Sequence, residues 1–506
     1  MADVSVFAID RSVRVRTTAA LRTAGVTWDD ADHRTLTDVD TFDGRLAASG
    51  LRLTIVDGRR ADLRGRGTIS EALVAEALPT RAEQLPFGAL RSAVTAAVGH
   101  RSLVPQLSVA GRHRFGRVIG ADGAPLVQLE RTASVRMDHL KADSVDVLEV
   151  HLVRGSRRVG RALIAELEAA GAQPIDGDVV DYVVRKAGRT LGGFDASPRT
   201  ALEPGMASDE GFRLVLADLA TVLAAMWSGV ADDVDAQFLH DFRVALRRTR
   251  SIVTAGRSVL AAPEVEAART GLGHLASSSS AARDLDVYLQ RWPRYTADLT
   301  PETVADLEPL RLLLRDRAVA EHAELGKVLR SPESLAVLAD WQRWLAAPHT
   351  RSGDSGHAPL DATVAQLILR SHRVLIERGR LITPESPAEQ VHDLRKDTKR
   401  LRYLLECFGT LFAAAPRRRY VKRLKVLQDN LGAHQDAEVH VTQLTGFADE
   451  LYTGGAGAST LLALGRLTER MDQARRAARW EFAQRFAEYD TAATTRALND
   501  VVDSIR

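Results

Sequence analysis

The stretch His240-Asp241-Phe242-Arg243-Val244-Ala245-Leu246-Arg247-Arg248-Thr249-Arg250 decides how this chain is read. Its pattern returns 152 residues later as His392-Asp393-Leu394-Arg395, with Lys399, Arg400 and Arg402 standing where Arg247, Arg248 and Arg250 stood. The same offset carries Asp284 onto Asp436 and Val287 onto Val439, so one register holds over about 50 residues without a gap. A tandem duplication is expected, with two helix bundles facing each other about a pseudo-twofold axis.

At 100° per residue, positions 240, 243, 247 and 250 form one stripe about 80° wide and ~15 Å long. His392, Arg395, Lys399 and Arg402 share that stripe in the second copy, with Lys396 at its edge. Leu246, Leu394 and Leu401 lie opposite and can pack inward. A solvated helix face is the plain alternative, but such faces mix signs, whereas this stripe is cationic. Residues 391–425 hold 11 Lys and Arg against 3 Asp and Glu, including four of the chain's seven lysines. A polyanion is the simplest offset for that self-repulsion. The repeated His-Asp pair also opens a metal-phosphohydrolase reading. Arginines on the same face repel a cation, so no metal is expected there. Each histidine could instead be a helix-start residue bonded to its neighbours. Asp284 and Asp436 are expected to orient the arginines. Cys407, within Leu404-Leu405-Glu406-Cys407-Phe408, is expected in the core.

Working outward, the chain has 506 residues, 45% hydrophobic and 26% charged, with a net charge of +2. That composition excludes a wholly disordered chain and a uniform polycation. A single cysteine excludes a disulfide framework and any multi-cysteine metal site. The start MADVSVFAIDRS lacks a basic segment followed by an apolar core, so a leader is not expected and a cytoplasmic location is. The uncharged run 219–231 is 13 residues long, short of the ~20 needed for a membrane span.

The first 195 residues carry alternating runs at 12–16, 51–55, 126–130 and 147–152, separated by Gly and Asp, which predict antiparallel strands. Helices are expected at 69–77 and 160–170, making this part α+β. DASPRTALEPGMAS at 195–208 reads as a linker. Beyond it Phe212, Val215, Leu216, Leu219, Val222 and Leu223 repeat with helical spacing, and strand signals almost vanish. The expected division is 1–195, a linker at 196–208, and a helical domain at 209–500 with halves at about 209–345 and 360–500. The stretch 346–360 is expected as a mobile loop, and 454–459 as a shorter break before a last helix pair.

LHDFRVALRRTRS at 239–251, VHDLRKDTKRLRYLLECF at 391–408, ARDLDV at 282–287 and LKVLQDNLGAHQDAEV at 424–439 resemble the CHAD domain, the conserved histidine α-helical domain. The resemblance covers roughly 205–500. It implies a duplicated helical bundle with a basic central pore, inorganic polyphosphate as partner, and association with polyphosphate granules. Carried over residue by residue, the implied contacts are His240, Arg243, Arg247, Arg250, His392, Arg395, Lys399 and Arg402. Lys396, Arg400, Lys422 and Lys425 form a second tier. Thr249 and Ser277–Ser280 depart from the family pattern, which bears on how basic the first half of the pore is.

DVDTFDGRLAASGLRLTI at 38–55, LEVHLVRG at 148–155 and ALIAELEAAG at 162–171 resemble the CYTH domain, the triphosphate tunnel fold, over most of 1–195. The whole chain is therefore expected to pair an α+β antiparallel, tunnel-like N-terminal domain with an all-α duplicated bundle. Active tunnel enzymes carry Glu-x-Glu-x-Lys on the first strand, where the carboxylates hold a divalent metal and the lysine neutralises triphosphate oxygens. Here that strand reads Asp3-Val4-Ser5-Val6-Phe7, and on the later strand His151 follows Glu149 where a second Glu belongs. The expectation is a binding protein without catalysis, metal or cofactor, whose Arg14, Arg16, Arg52, Arg64 and Arg136 line a basic interior or lie exposed. The alternative is a metal-dependent triphosphatase or polyphosphatase in the N-terminal tunnel. Specific nucleic-acid recognition is not expected, because Tyr403 is the one aromatic among the stripe residues and base stacking is poorly served. Oligomeric state is left open.

Overall fold

In this computed structural model the described residues are 4–505, apart from 66–67, 74–76, 138–139, 154–155, 187–192, 261–262 and 349–352, with backbone alone over the rest of 134–145. The chain divides into two units, 1–195 and 196–506. The first holds strands β1 (Val4–Ile9), β2 (Thr27–Trp28), β3 (Asp32–Thr41), β4 (Arg52–Val56), β5 (Arg60–Arg64), β6 (Thr68–Ala72), β7 (Leu103–Ile119), β8 (Pro125–Met137), β9 (Leu140–Leu152) and β10 (Gln173–Ile175). Its helices are α1 (Arg14–Thr23), α2 (Arg45–Ala48), α3 (Ala89–Val98), α4 (Arg157–Ala169) and α5 (Val179–Lys186). The strands form one sheet in the order β10-β1-β9-β8-β7-β3-β4-β5-β6, with β2 on β7. Every pairing is antiparallel. Alternation does the folding: Leu53, Ile55, Ala61 and Leu63 turn inward beneath Leu90, Val94 and Val98 of α3. Phe7, Ile9, Leu129, Leu148 and Val150 meet Leu163 and Leu167 of α4.

Two expectations fail here. Residues 12–16, read as a strand, lead into α1, whose buried pair is Thr17 and Leu21, four apart, while Val15 is 81% exposed. Alternation over five residues could not reveal that the apolar face has helical period. The expected helix 69–77 begins as strand β6, whose Ile69 pairs with Leu63 on β5. Residues 74–76 lie outside the described part. Sheet pairing outweighed local helix propensity at this edge. The side chain of Arg136 also lies outside.

The second unit holds α6 (Ser208–Ala231), α7 (Ala236–Ala255), α8 (Pro263–Ser278), α9 (Ser280–Thr296), α10 (Pro301–Asp306), α11 (Glu308–Arg330), α12 (Pro332–Ala346), α13 (Leu360–Arg380), α14 (Ala388–Cys407), α15 (Ala414–Thr453), α16 (Ala458–Tyr489) and α17 (Ala492–Val502). By length and composition α6 could cross a membrane. Here Phe212, Val215, Leu216, Leu219 and Leu223 are buried, and α7, α11, α12 and α13 pack on it. Each such side chain contributes roughly 1.5–3 kcal/mol by leaving water. Helices α7 and α14 are each 20 residues long and start 152 residues apart. Asp235 caps α7, its Oδ1 accepting from the amides of Gln237 and Phe238 at 2.9 and 3.3 Å. Leu246, Leu394 and Leu401 are fully buried, as their place opposite the basic stripe requires. Cys407 is buried too.

Candidate functional site

Helix α7 presents the first basic run and α14 the second, and the two helices pack together, with α9 on α7 and α15 on α14. The inward leucines fix the rotation of each helix, and that rotation brings His240, Arg243, Arg247, Arg395, Lys399 and Arg402 within electrostatic reach of Arg247 or of Lys399. Arg247 acts electrostatically on His240, Arg243 and Arg283 of its own copy and on Arg395 and Lys399 of the other. Lys399 is pushed down to about 7, first by burial and then by Arg395, Arg247 and Arg402, against the opposing pull of Asp436. Its ammonium makes no hydrogen bond or ion pair among the described residues. His240 is pushed down to about 4 by burial and by Arg283, Arg247 and Arg248. Asp284 keeps solvent contact, yet burial pushes its carboxyl upward against Arg243, Arg247 and Arg283.

The remaining partners sort the expected residues. Arg243 is buried. Its Nη1 donates to the carbonyl of Ala276 at 2.8 Å and to the hydroxyls of Ser279 and Ser280 at 2.6 and 3.2 Å, and burial pushes it down to about 10. The serine stretch that departs from the family pattern therefore ties down one guanidinium. Thr249, the other departure, is fully buried and bonds the Ala245 carbonyl, so it takes nothing from the basic face. Arg395 Nη2 lies 3.5 Å from Asp436, which also accepts from Arg291 Nη1 at 2.9 Å. Asp436 thus orients arginines as expected, whereas Asp284 has no hydrogen bond or ion pair among the described residues. His392 Nδ1 stands 2.6 Å from Gln435 Oε1.

Arg402 is shared between Glu406 at 2.5 Å and Gln428 at 3.3 Å, and Glu406 also receives Arg248 at 2.7 Å. Lys396 pairs with Asp393 at 2.9 Å and Arg400 approaches Asp397 at 3.7 Å, both on α14 itself. The edges of the stripe therefore carry mixed signs, while its centre stays cationic. Arg250, Lys422 and Lys425 are exposed with no ion partner among the described residues. On α15, Lys425 lies about 60° from Gln428, on the face of Gln435 and Asp436, and Lys422 about 120° away. Arg283 and Arg291 of α9 join the cluster unannounced by the repeat. Position 152 residues beyond each is a glutamine, Gln435 and Gln443, so a search for doubled cations passes over both.

The first unit gathers a different set. Glu130 on β8 and Glu149 on β9 are direct cross-strand partners, and with His151 their ligand atoms lie within 4.8 Å of one another. His113 Nε2, almost fully buried, stands 2.5 Å from Glu130 Oε1. Burial pulls the Glu130 carboxyl upward, but the bond from His113 and the charges of His113, His151 and Arg64 hold it below the ordinary range. Glu149 is 6% exposed. The His151 nitrogen nearest to it, Nε2 at 3.5 Å, is itself buried without a hydrogen-bond partner among the described residues. Sequence reading found Glu149 and His151 but not Glu130, which only strand pairing brings beside them. Three of the arginines expected in a basic interior, Arg14, Arg52 and Arg64, are balanced by aspartates. Arg52 meets Asp38, Asp178 and Asp181 at 3.3, 3.0 and 2.6 Å. Arg64 meets Asp178 at 2.8 Å and Arg14 meets Asp146 at 3.1 Å. Arg16 is exposed.

Residues 213–445 match the family model described as the CHAD domain, and the chain carries that domain there. No curated protein matches the chain. Among solved structures, a CHAD domain from the plant Ricinus communis aligns at 26% identity over 61% of this chain and 96% of its own, with a TM-score of 0.46. PptA from Streptomyces chartreusis aligns at 17% over 56% and 99%, with a TM-score of 0.45. HpAC1 from Hippeastrum, credited with a dominant triphosphatase activity, aligns at 15% over 38% and 98%, with a TM-score of 0.28. The antiparallel sheet of the first unit is compatible with a CYTH-like domain.

Proposed function

We propose that this CHAD-domain chain binds inorganic polyphosphate along the cationic face where α7, α9 and α14 meet. Lys399 carries the reading. A half-buried ammonium with no carboxylate partner among the described residues, pressed by Arg247, Arg395 and Arg402, is an uncompensated charge that an arriving anion offsets. Each arginine can fork onto two phosphate oxygens while lysine adds point charge, and a repeating anion can satisfy several of them in series. Matching residues act on each other electrostatically across the cluster, Arg247 on Lys399 and Asp436 on Asp284. That is the behaviour expected of two copies related by a twofold axis, and it supports the duplication as part of the same proposal. Such a chain would sit in the cytoplasm, on polyphosphate granules. The test is competition on the full chain at about 0.15 M salt among long-chain polyphosphate, tripolyphosphate and duplex DNA. Polyphosphate held against excess DNA is the expected result; equal displacement by every polyanion would reduce the face to generic basic surface.

A second reading, metal-dependent hydrolysis of triphosphate in the first unit, is favoured by Glu130, Glu149 and His151. Two glutamates directly opposite on adjacent strands repel, and a nearly buried carboxylate beside a partnerless imidazole nitrogen leaves room for a divalent cation. A bound divalent ion would supply phosphate neutralisation and an activated water. His113 would orient Glu130 from behind. Phosphate release from tripolyphosphate with Mg²⁺ or Mn²⁺, lost in Glu149→Gln, is the expected sign; no metal-dependent release between pH 6 and 9 would sink this reading.

A further inference from the structure

A second cavity in the helical unit, of about 390 Å³, opens between the turn joining α13 to α14, one face of α15 and the middle of α16. It lies away from the basic face: on α15 His434 stands about 120° from Gln428 and about 160° from Asp436. His434 is 5% exposed, and its Nδ1 is buried without a hydrogen-bond partner among the described residues. Arg479 holds the turn, its Nη2 donating to the carbonyls of Thr383 and Ser386 at 2.7 and 2.6 Å, yet its Nη1 is buried with no partner among the described residues. Arg475 adds a guanidinium anchored by Asp472 at 2.8 Å. Trp480, a wall residue, is 83% exposed, and Ile382 and Pro384 supply apolar wall from the turn.

These features call for one kind of occupant. A buried guanidinium nitrogen without an acceptor asks for an anionic or carbonyl oxygen, since a buried donor left unpaired keeps its full desolvation cost. A solvent-facing indole beside Ile382 and Pro384 offers a flat ring a stacking surface. Charge in the pocket is partly offset: Arg476 also lines it and shares Asp472 with Arg475 while pairing with Glu469, and Glu385 and Glu438 act on Arg479. A long polyanion would meet those carboxylates, whereas a single phosphate can be held by Arg479 and Arg475 alone. The volume suits a small ligand.

We propose that this cavity binds a nucleoside monophosphate, its base stacked on Trp480 and its phosphate taken by Arg479 and Arg475. The test is calorimetric titration of the full chain with AMP, ribose 5-phosphate and inorganic phosphate. Sub-millimolar AMP binding is expected. The ring contribution is expected to make ribose 5-phosphate, and AMP to Trp480→Ala, at least about tenfold weaker. Trp480 is exposed, so its substitution leaves the core intact, and circular dichroism checks this. Absence of AMP binding at several millimolar would overturn the proposal, as would binding indifferent to Trp480→Ala. AMP displaced by stoichiometric tripolyphosphate would place the nucleotide on the basic face and overturn it equally.

Discussion

Arg247 and Lys399 occupy matching places on α7 and α14, 152 residues apart, and lie close enough that the guanidinium helps push the ammonium down to about 7. The pair joins the two basic runs into one electrostatic unit, so a change in either run should be felt by both.

Reversing Arg395 and Lys399 to Glu should cut polyphosphate affinity at least about a hundredfold, at roughly 1.5–3 kcal/mol per charge-assisted contact. New carboxylates beside Asp436 could disturb packing, so Lys399→Met serves as the mild variant, with a loss of about tenfold. Helicity by circular dichroism should hold in both. Full affinity in a folded double variant would remove the cluster from the binding site.

Binding should weaken as pH rises above about 7. The free ammonium of Lys399 titrates near there, and a bound anion raises its pKa, so binding takes up a proton between the free and bound values. Below the free value the group is already charged and no slope is expected from it. Affinities measured from pH 6 to 9 should flatten in Lys399→Arg, whose charge persists; an unchanged slope would put the titration elsewhere.

His322 should stabilise the helical unit most at neutral and lower pH. Its Nε2 lies 2.9 Å from Asp286 and its Nδ1 3.0 Å from Asp233. Burial pulls its pKa down, but the two carboxylates win and raise it to about 9. A folded value above the unfolded one near 6.5 means stability present in full below 6.5 and lost as pH rises through 9. His322→Gln should cost about 2 kcal/mol at pH 6 and much less at pH 10, read as the gap between urea midpoints. A constant gap would make the contact merely steric.

Cys407 should resist thiol reagents in the native protein. Burial pushes its thiol up to about 12, which leaves almost no thiolate at pH 8. Labelling should begin only as urea unfolds the helical unit, and rapid native labelling would contradict the buried placement.

Much of this architecture was legible because it rests on period. Leu246, Leu394 and Leu401 had to face inward once the cations beside them were placed on a stripe, and the strands at 51–55, 126–130 and 147–152 followed from alternation of side chains across a sheet. Short-range pattern misled where five residues of alternation, 12–16, open a helix, and where β6 takes its state from its neighbour β5.

The amino-acid sequence by itself determined which cations are doubled, their common helical face and the apolar ridge behind them, since these depend only on spacing along one chain. Tertiary structure alone decided which charges stay free. Beyond the pairs that Lys396, Arg400 and Arg402 make with acids three or four residues along their own helix, which spacing already allows, packing brings Arg248 to Glu406 and ties Arg243 to Ser279 and Ser280, while Lys399 is left without a partner among the described residues. It also decided that Glu130 stands beside Glu149 and that Arg283 and Arg291 join the basic face. Pairing of charges depends on distances across helices and strands, and those distances are set by packing between segments far apart in the chain.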